Sequence, residues 1–133
     1  AKRIATLKQI YPGVRYMNNH TGSKFTADAA AMEKLMRILK QEGIVFIDSR
    51  TTSKTKVPEI SRKMGTRYLG RDIFLDHHDG VANVKKQIQE AVAVAKRHGS
   101  AIAIGHPRPD TIKALRESKD LLRGVQIVGI ENI

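Results

Sequence analysis

Four polar clusters in this 133-residue sequence hold side chains suited to chemistry. Asn18-Asn19-His20 sets an imidazole beside two amides, a metal donor with hydrogen-bonding groups around it. A lone histidine is more often structural or solvent-exposed than a ligand, so His20 needs partners before it counts as one. Asp48-Ser49-Arg50 offers a carboxylate able to orient a histidine or bind metal, and a guanidinium for a carbonyl or an anion. An Asp–Arg ion pair tying down the loop is its other reading. Asp76-His77-His78-Asp79 has the composition of a metal cluster. Neighbouring loop histidines point apart, however, and His77 and His78 read better as a turn, with Asp79-Gly80 opening a helix. Asp72 and Asp76, bracketing Ile73-Phe74-Leu75, are better placed to reach a sheet edge. Gly105-His106-Pro107 holds an imidazole between Gly and Pro, which suits a general acid or base, or equally a plain turn. His98, beside Lys96 and Arg97, reads as surface charge at a helix end.

The elements between these clusters must place them. Ile4, Leu7 and Ile10 have the spacing of one helical face, stopped by Pro12-Gly13. Residues 14–17 read as a short strand that delivers Asn18-Asn19-His20 just past its end, and residues 21–25 as loop. Thr26 is an N-cap type, and the helix formers of residues 27–41 predict a helix burying Ala31, Leu35, Ile38 and Leu39, ended by Gly43. Residues 44–47 are continuously apolar, as in a strand buried on both faces of a parallel sheet. Pro58 suits the first turn of a helix running to Met64, stopped by Gly65. A short strand is expected at residues 73–75. The longest helix spans residues 81–98, with Val84, Ile88, Ala91, Val92 and Ala95 inward and Gly99 after it. Residues 101–104 form another buried strand, Asp110 or Thr111 caps a helix bearing Ile112 and Leu115, and residues 125–130 close the chain as a strand.

Alternating helices and strands without hairpin signals imply an α/β fold with parallel pairing and helical crossovers. An open doubly wound sheet and an arc of a (β/α) barrel both satisfy this order. Either architecture carries its chemistry at the C-terminal ends of its strands, where each polar cluster falls. His20, Asp48, Arg50, the 76–79 cluster and His106 are thus expected on one rim.

Composition narrows the classes. With no cysteine, disulfides and thiolate metal sites are excluded, and a metal must use His, Asp or Glu. No apolar stretch approaches the roughly 20 residues that span a bilayer, and no leader-like segment opens the sequence. Phosphate-binding glycine loops, dinucleotide fingerprints, nucleophile elbows and HExxH stretches are lacking. A net charge of +11 suits a polyanionic partner: nucleic acid, an acidic glycan or a membrane surface. The basic residues are scattered, though, without the run that marks a dedicated patch.

Taken in order, Asn18-Asn19-His20-Thr21-Gly22-Ser23-Lys24-Phe25-Thr26, Phe46 through Thr52, Arg71 through Asp76 and Ala101 through Pro107 resemble the divergent polysaccharide deacetylase family, as does the ending from Gly124 to Ile133. The resemblance covers about residues 14–133 and implies part of a distorted (β/α) barrel of the glycoside hydrolase/deacetylase type. It implies metal-dependent hydrolysis of acetyl groups on an envelope polysaccharide, with a divalent metal, zinc first, and a periplasmic or secreted location. His20 matches the family's metal histidine, and His106 its late-chain general acid. Asp48 and Arg50 fall where carboxylate and arginine orient the catalytic groups; Asp72 and Asp76 are weaker candidates to support that site or meet substrate, and Asn18 and Asn19 are expected to bind substrate. Thr21 stands where methionine is usual. The family's opening strand, ending in an Asp-Asp pair, has no counterpart here, so residues 1–133 read as the C-terminal portion of one domain. Half a barrel leaves strand edges and apolar surface uncovered, and a homo-oligomer or association with the missing segment is expected. A non-catalytic glycan-binding or envelope-scaffold protein is the alternative, with a basic nucleic-acid-binding module behind it, since no aromatic stacking platform accompanies the charge.

Overall fold

A computed structural model describes residues 2–133, which divide into two compact units, residues 2–70 and residues 71–133.

The first unit begins with α1 (Lys2–Ile10), followed by β1 (Tyr16–Asn18), α2 (Ser23–Ala27), α3 (Ala29–Gln41), β2 (Val45–Asp48), α4 (Val57–Lys63) and β3 (Leu69–Gly70). The strands form a parallel sheet in the order β1-β2-β3, with Met17 opposite Phe46 and Ile47 opposite Leu69. Paired residues of parallel strands face the same side, so Met17 and Phe46 share the face that packs on the helices. There Phe46 joins Met32, Met36 and Leu39 of α3, Val57 and Ile60 of α4, and Ile44 in one buried cluster. The Asp28 carboxylate accepts the Ala31 N–H at 3.0 Å and so caps α3.

The second unit holds β4 (Ile73–Phe74), α5 (Val81–His98), β5 (Ala103–Ile104), α6 (Pro109–Arg116) and a closing 3₁₀ turn, Ile130–Asn132. β4 and β5 pair in parallel, Ile73 opposite Ala103 and Phe74 opposite Ile104. The core is small: Leu75, Val84, Ile88 and Ala114, with Ile73, Val81, Leu121 and Leu122 packed against it. Beside it lies an open, mostly aliphatic cleft of about 1070 Å³, lined among others by Val92, Ile112, Leu115 and Val125.

Parallel strands joined by helices are thus present in both units, as the α/β reading expects. Several local expectations fail. Thr26 is a buried residue inside the short helix α2, not the cap of α3, because Asp28, two residues later, sets its carboxylate on the Ala31 N–H. The buried stripe of α3 is Met32, Met36 and Leu39; Ala31, Leu35 and Ile38 are only half-buried, so the helix is rotated by about one position from the expected face. In α6 the buried residues are Thr111 and Ala114, while Ile112 and Leu115 face the cleft. The expected strand at residues 125–130 does not form: Ile127 and Val128 are exposed, and β-branched residues become a strand only against an edge that accepts their hydrogen bonds.

Candidate active site

In the first unit, β1 and β2 end side by side and their loops are stitched together. The Asn18 side-chain amide donates to the Ser49 hydroxyl at 3.0 Å, and the Asn19 side-chain oxygen accepts the Ser49 backbone N–H at 3.0 Å. These bonds set the His20 loop against the Asp48 loop and leave His20 exposed at its tip.

Asp48 itself is sealed, with no exposed surface. One carboxylate oxygen accepts the Arg50 N–H at 2.9 Å; the other accepts the hydroxyls of Thr55 at 2.9 Å and Tyr68 at 3.0 Å. These three donors satisfy the hydrogen-bonding capacity that burial would otherwise leave unmet. Its geometry is that of a loop anchor. The Tyr68 ring reaches Asp48 by lying across Gly70, where a Cβ would collide with the phenol. Arg50 has φ +50°, the left-handed region that non-glycine residues rarely enter, and the Asp48 bond to its N–H helps hold it there.

In the second unit the strand ends make a different arrangement. The Asp72 carboxylate accepts the Ile102 N–H at 2.7 Å while the Asp72 N–H donates to the Ile102 carbonyl at 2.8 Å, a clamp that starts the β4–β5 ladder. At the other end, buried Asp76 takes the Nδ1 of His106 at 3.0 Å on one oxygen. Its second oxygen accepts the His106 backbone N–H at 2.6 Å and the Thr111 hydroxyl at 2.9 Å. Burial opposes ionisation of Asp76 more than any single bond favours it. The His106 N–H, the His106 ring and the Thr111 hydroxyl nevertheless hold the carboxyl below the usual carboxylate range together. An ionised Asp76 only accepts, so Nδ1 carries the proton that lies between them. The His106 side chain is 34% exposed while that of Asp76 is 4% exposed. The imidazole is therefore oriented from within and meets solvent on its other side.

Arg108 braces this corner, donating to the Asp76 carbonyl at 3.3 Å and lying 3.6 Å from the Asp79 carboxylate. His77 and His78 are exposed, their rings edge-on with centroids 4.8 Å apart.

The structure thus joins Asn18 and Asn19 to the Asp48 loop in one unit, and Asp76 to His106 in the other. Among the described residues, no group of three or more His, Asp or Glu gathers to hold a metal ion. The donors present do not by themselves fit a complete zinc site. Sequence reasoning missed Thr55, Tyr68 and Thr111. Only Thr111 left a trace there, as a possible helix cap two residues beyond Pro109; its hydroxyl serves Asp76 instead.

The family model of the divergent polysaccharide deacetylases matches residues 1–133. An uncharacterized protein of Haemophilus influenzae is 43% identical over 132 residues, 98% of this chain and 47% of its own length. The uncharacterized protein YibQ of Escherichia coli K12 is 37% identical over 101 residues, covering 76% of this chain and 32% of that protein. The chain therefore spans half or less of the curated relatives it matches. The crystal structure of the uncharacterized protein ATU2773 from Agrobacterium tumefaciens C58 superposes with a TM-score of 0.82 over 86% of this chain and 48% of that one, at 24% identity. That likeness shows a common fold.

Proposed function

Because the chain belongs to the divergent polysaccharide deacetylase family, we propose that it carries the proton-transfer part of a carbohydrate deacetylase, with His106 as the acid–base group. The observation that supports this reading is the Asp76–His106 pair: a buried, ionised carboxylate holding a solvent-facing imidazole by its Nδ1. With Nδ1 committed to Asp76, Nε2 is the nitrogen that gives a proton to the leaving amine or alcohol as the acetyl group is cleaved. Before that transfer Asp76 stabilises the imidazolium, and after it the neutral ring keeps its remaining proton on Nδ1, toward Asp76. Such positioned transfer contributes about 10²- to 10⁴-fold in rate. Thr111 and the His106 backbone N–H hold Asp76 in the rotamer this requires.

A divalent metal, zinc first, is the cofactor that goes with this reading, and it would polarise the acetyl carbonyl. His20 would supply one ligand, with the remaining ligands coming from another segment. The complete domain would be a distorted (β/α) barrel, acting on an envelope polysaccharide after export. A homo-oligomer, or association with a further segment, would cover the cleft of the second unit. A non-catalytic glycan-binding protein is the second reading, favoured by the lack of a three-donor group among the described residues.

Acetate release from a partly acetylated oligosaccharide, measured with and without added zinc, tests the first reading. His106→Gln should lower turnover about 100-fold or more while KM changes little. Turnover unaffected by His106→Gln would end it, and glycan binding without any acetate release would establish the second reading.

A further inference from the structure

The positive charge is unevenly shared. Residues 1–70 hold fourteen of the 24 Lys and Arg but only five of the 13 Asp and Glu; residues 71–133 hold ten and eight. All five acids of the first unit are already engaged. Asp28 caps α3, and Asp48 is buried under three donors. Glu33 is paired with Arg37 and Lys63, Glu42 with Lys8, and Glu59 with Lys56. Of the other cations, Lys24, Lys34, Lys54 and Arg62 are exposed and enter no ion pair among the described residues.

One group of them is gathered by named bonds. The Lys56 N–H donates to the Thr26 carbonyl at 2.8 Å, drawing the 54–56 segment onto α2, which carries Lys24. Asp48 holds Arg50 and Thr55 on one carboxylate, and Ser49 is tied to Asn18 and Asn19. Three segments are thus collected at the C-terminal edge of this sheet. Lys24, Arg50 and Lys54 are exposed there, and neither Lys24 nor Lys54 lies in an ion pair among the described residues. The same segments carry the exposed residues Thr21, Thr51 and Ser53, and Phe25 is 44% exposed.

We propose that this edge is a cationic rim that receives a negatively charged glycan chain, with Lys24 and Lys54 meeting its anionic groups. The inference rests on the reading of the chain as a carbohydrate-acting protein and names the charge of its substrate. Hydroxyls interleaved with cations suit a polyol that also carries charge. A single-stranded nucleic acid calls for a series of stacking rings, where this edge exposes the Phe25 phenyl and the His20 imidazole and no Tyr or Trp among the described residues. A lipid surface calls for an apolar face to insert, where this edge exposes hydroxyls.

The test is binding by the 133-residue chain to polygalacturonate, with neutral dextran, single-stranded DNA and anionic phospholipid vesicles in parallel. Polygalacturonate should bind tightest, with affinity falling steeply as salt rises, and dextran about tenfold or more weaker. The double variant Lys24→Gln/Lys54→Gln should lose about tenfold for polygalacturonate. A control pair on the helices, Lys34→Gln/Arg62→Gln, should lose much less. Equal loss in both pairs, equal binding of dextran, or tighter binding to DNA or vesicles would each overturn the rim. Acetate release reports separately on the parent reading: a protein that binds the acidic polymer but never releases acetate keeps the rim and loses the deacetylase.

Discussion

Two aspartates close two parallel strands in this molecule, and they have become different things. Asp48 ends β2 with its carboxylate wholly buried, spent on two hydroxyls and one backbone N–H. Asp76 follows β4 nearly as deep, yet one of its three bonds goes to a ring that is 34% exposed. Burial and bond count scarcely separate them. What separates them is the chemistry of the partner: Thr55 and Tyr68 are half-buried as His106 is, but only an imidazole readily takes up and gives a proton. A buried carboxylate is an anchor when it holds hydroxyls and backbone N–H groups, and can orient an acid–base group when it holds an imidazole.

The sharpest way to break this contrast is at Asp48. Asp48→Ala strands three donors in a sealed pocket and should cost about 3 kcal/mol in denaturant unfolding. A cost below about 1 kcal/mol would mean the anchor is unimportant. His106→Gln should do the reverse, with stability within about 1 kcal/mol of the parent and the activity loss described above. Equal destabilisation by the two variants would erase the distinction.

Acid sharpens it. Asp76 has its folded-state pKa lowered, so its contribution to stability is present above the ordinary carboxylate value of about 4 and is lost as pH falls through the lower folded value. Unfolding followed from pH 6 downward should show this loss, and Asp76→Asn should flatten it. A variant with the same acid dependence as the parent would place the linkage elsewhere. The smallest effects concern the room each carboxylate's partner needs. A Cβ on Gly105 would meet the Thr111 methyl at 3.1 Å, so Gly105→Ala should loosen the Thr111–Asp76 bond and cost about 1 kcal/mol or less. Gly70→Ala should push Tyr68 from Asp48 at a comparable or somewhat larger cost, visible as a change in Tyr68 fluorescence.

Legibility followed the range of the forces involved. α5 was readable at both ends because helix formers run unbroken between Gly80 and Gly99, a purely local signal. β2 and α4 were likewise found within a residue, from an apolar run and from Pro58. The cap of α3 was misplaced at Thr26: Thr26 and Asp28 are both capping types, and only packing chose between them. The strand expected at residues 125–130 failed for a related reason: its apolar composition is local, but its hydrogen-bond partners are not. Of the site, His106 and Asp76 could be named as separate candidates at strand ends. Their pairing depends on the parallel register of β4 and β5 across 30 residues of chain, which spacing cannot supply. The roles of Tyr68 and Thr111 were hidden in the same way, each reaching a carboxylate far from it in sequence.

Arg50 carries one last consequence. Its left-handed backbone costs about 1 kcal/mol that glycine would not incur. A library screened for heat tolerance alone would drift toward glycine at this position. Engineers optimising shelf life would gain a sturdier loop and discard a guanidinium that the proposed glycan rim displays.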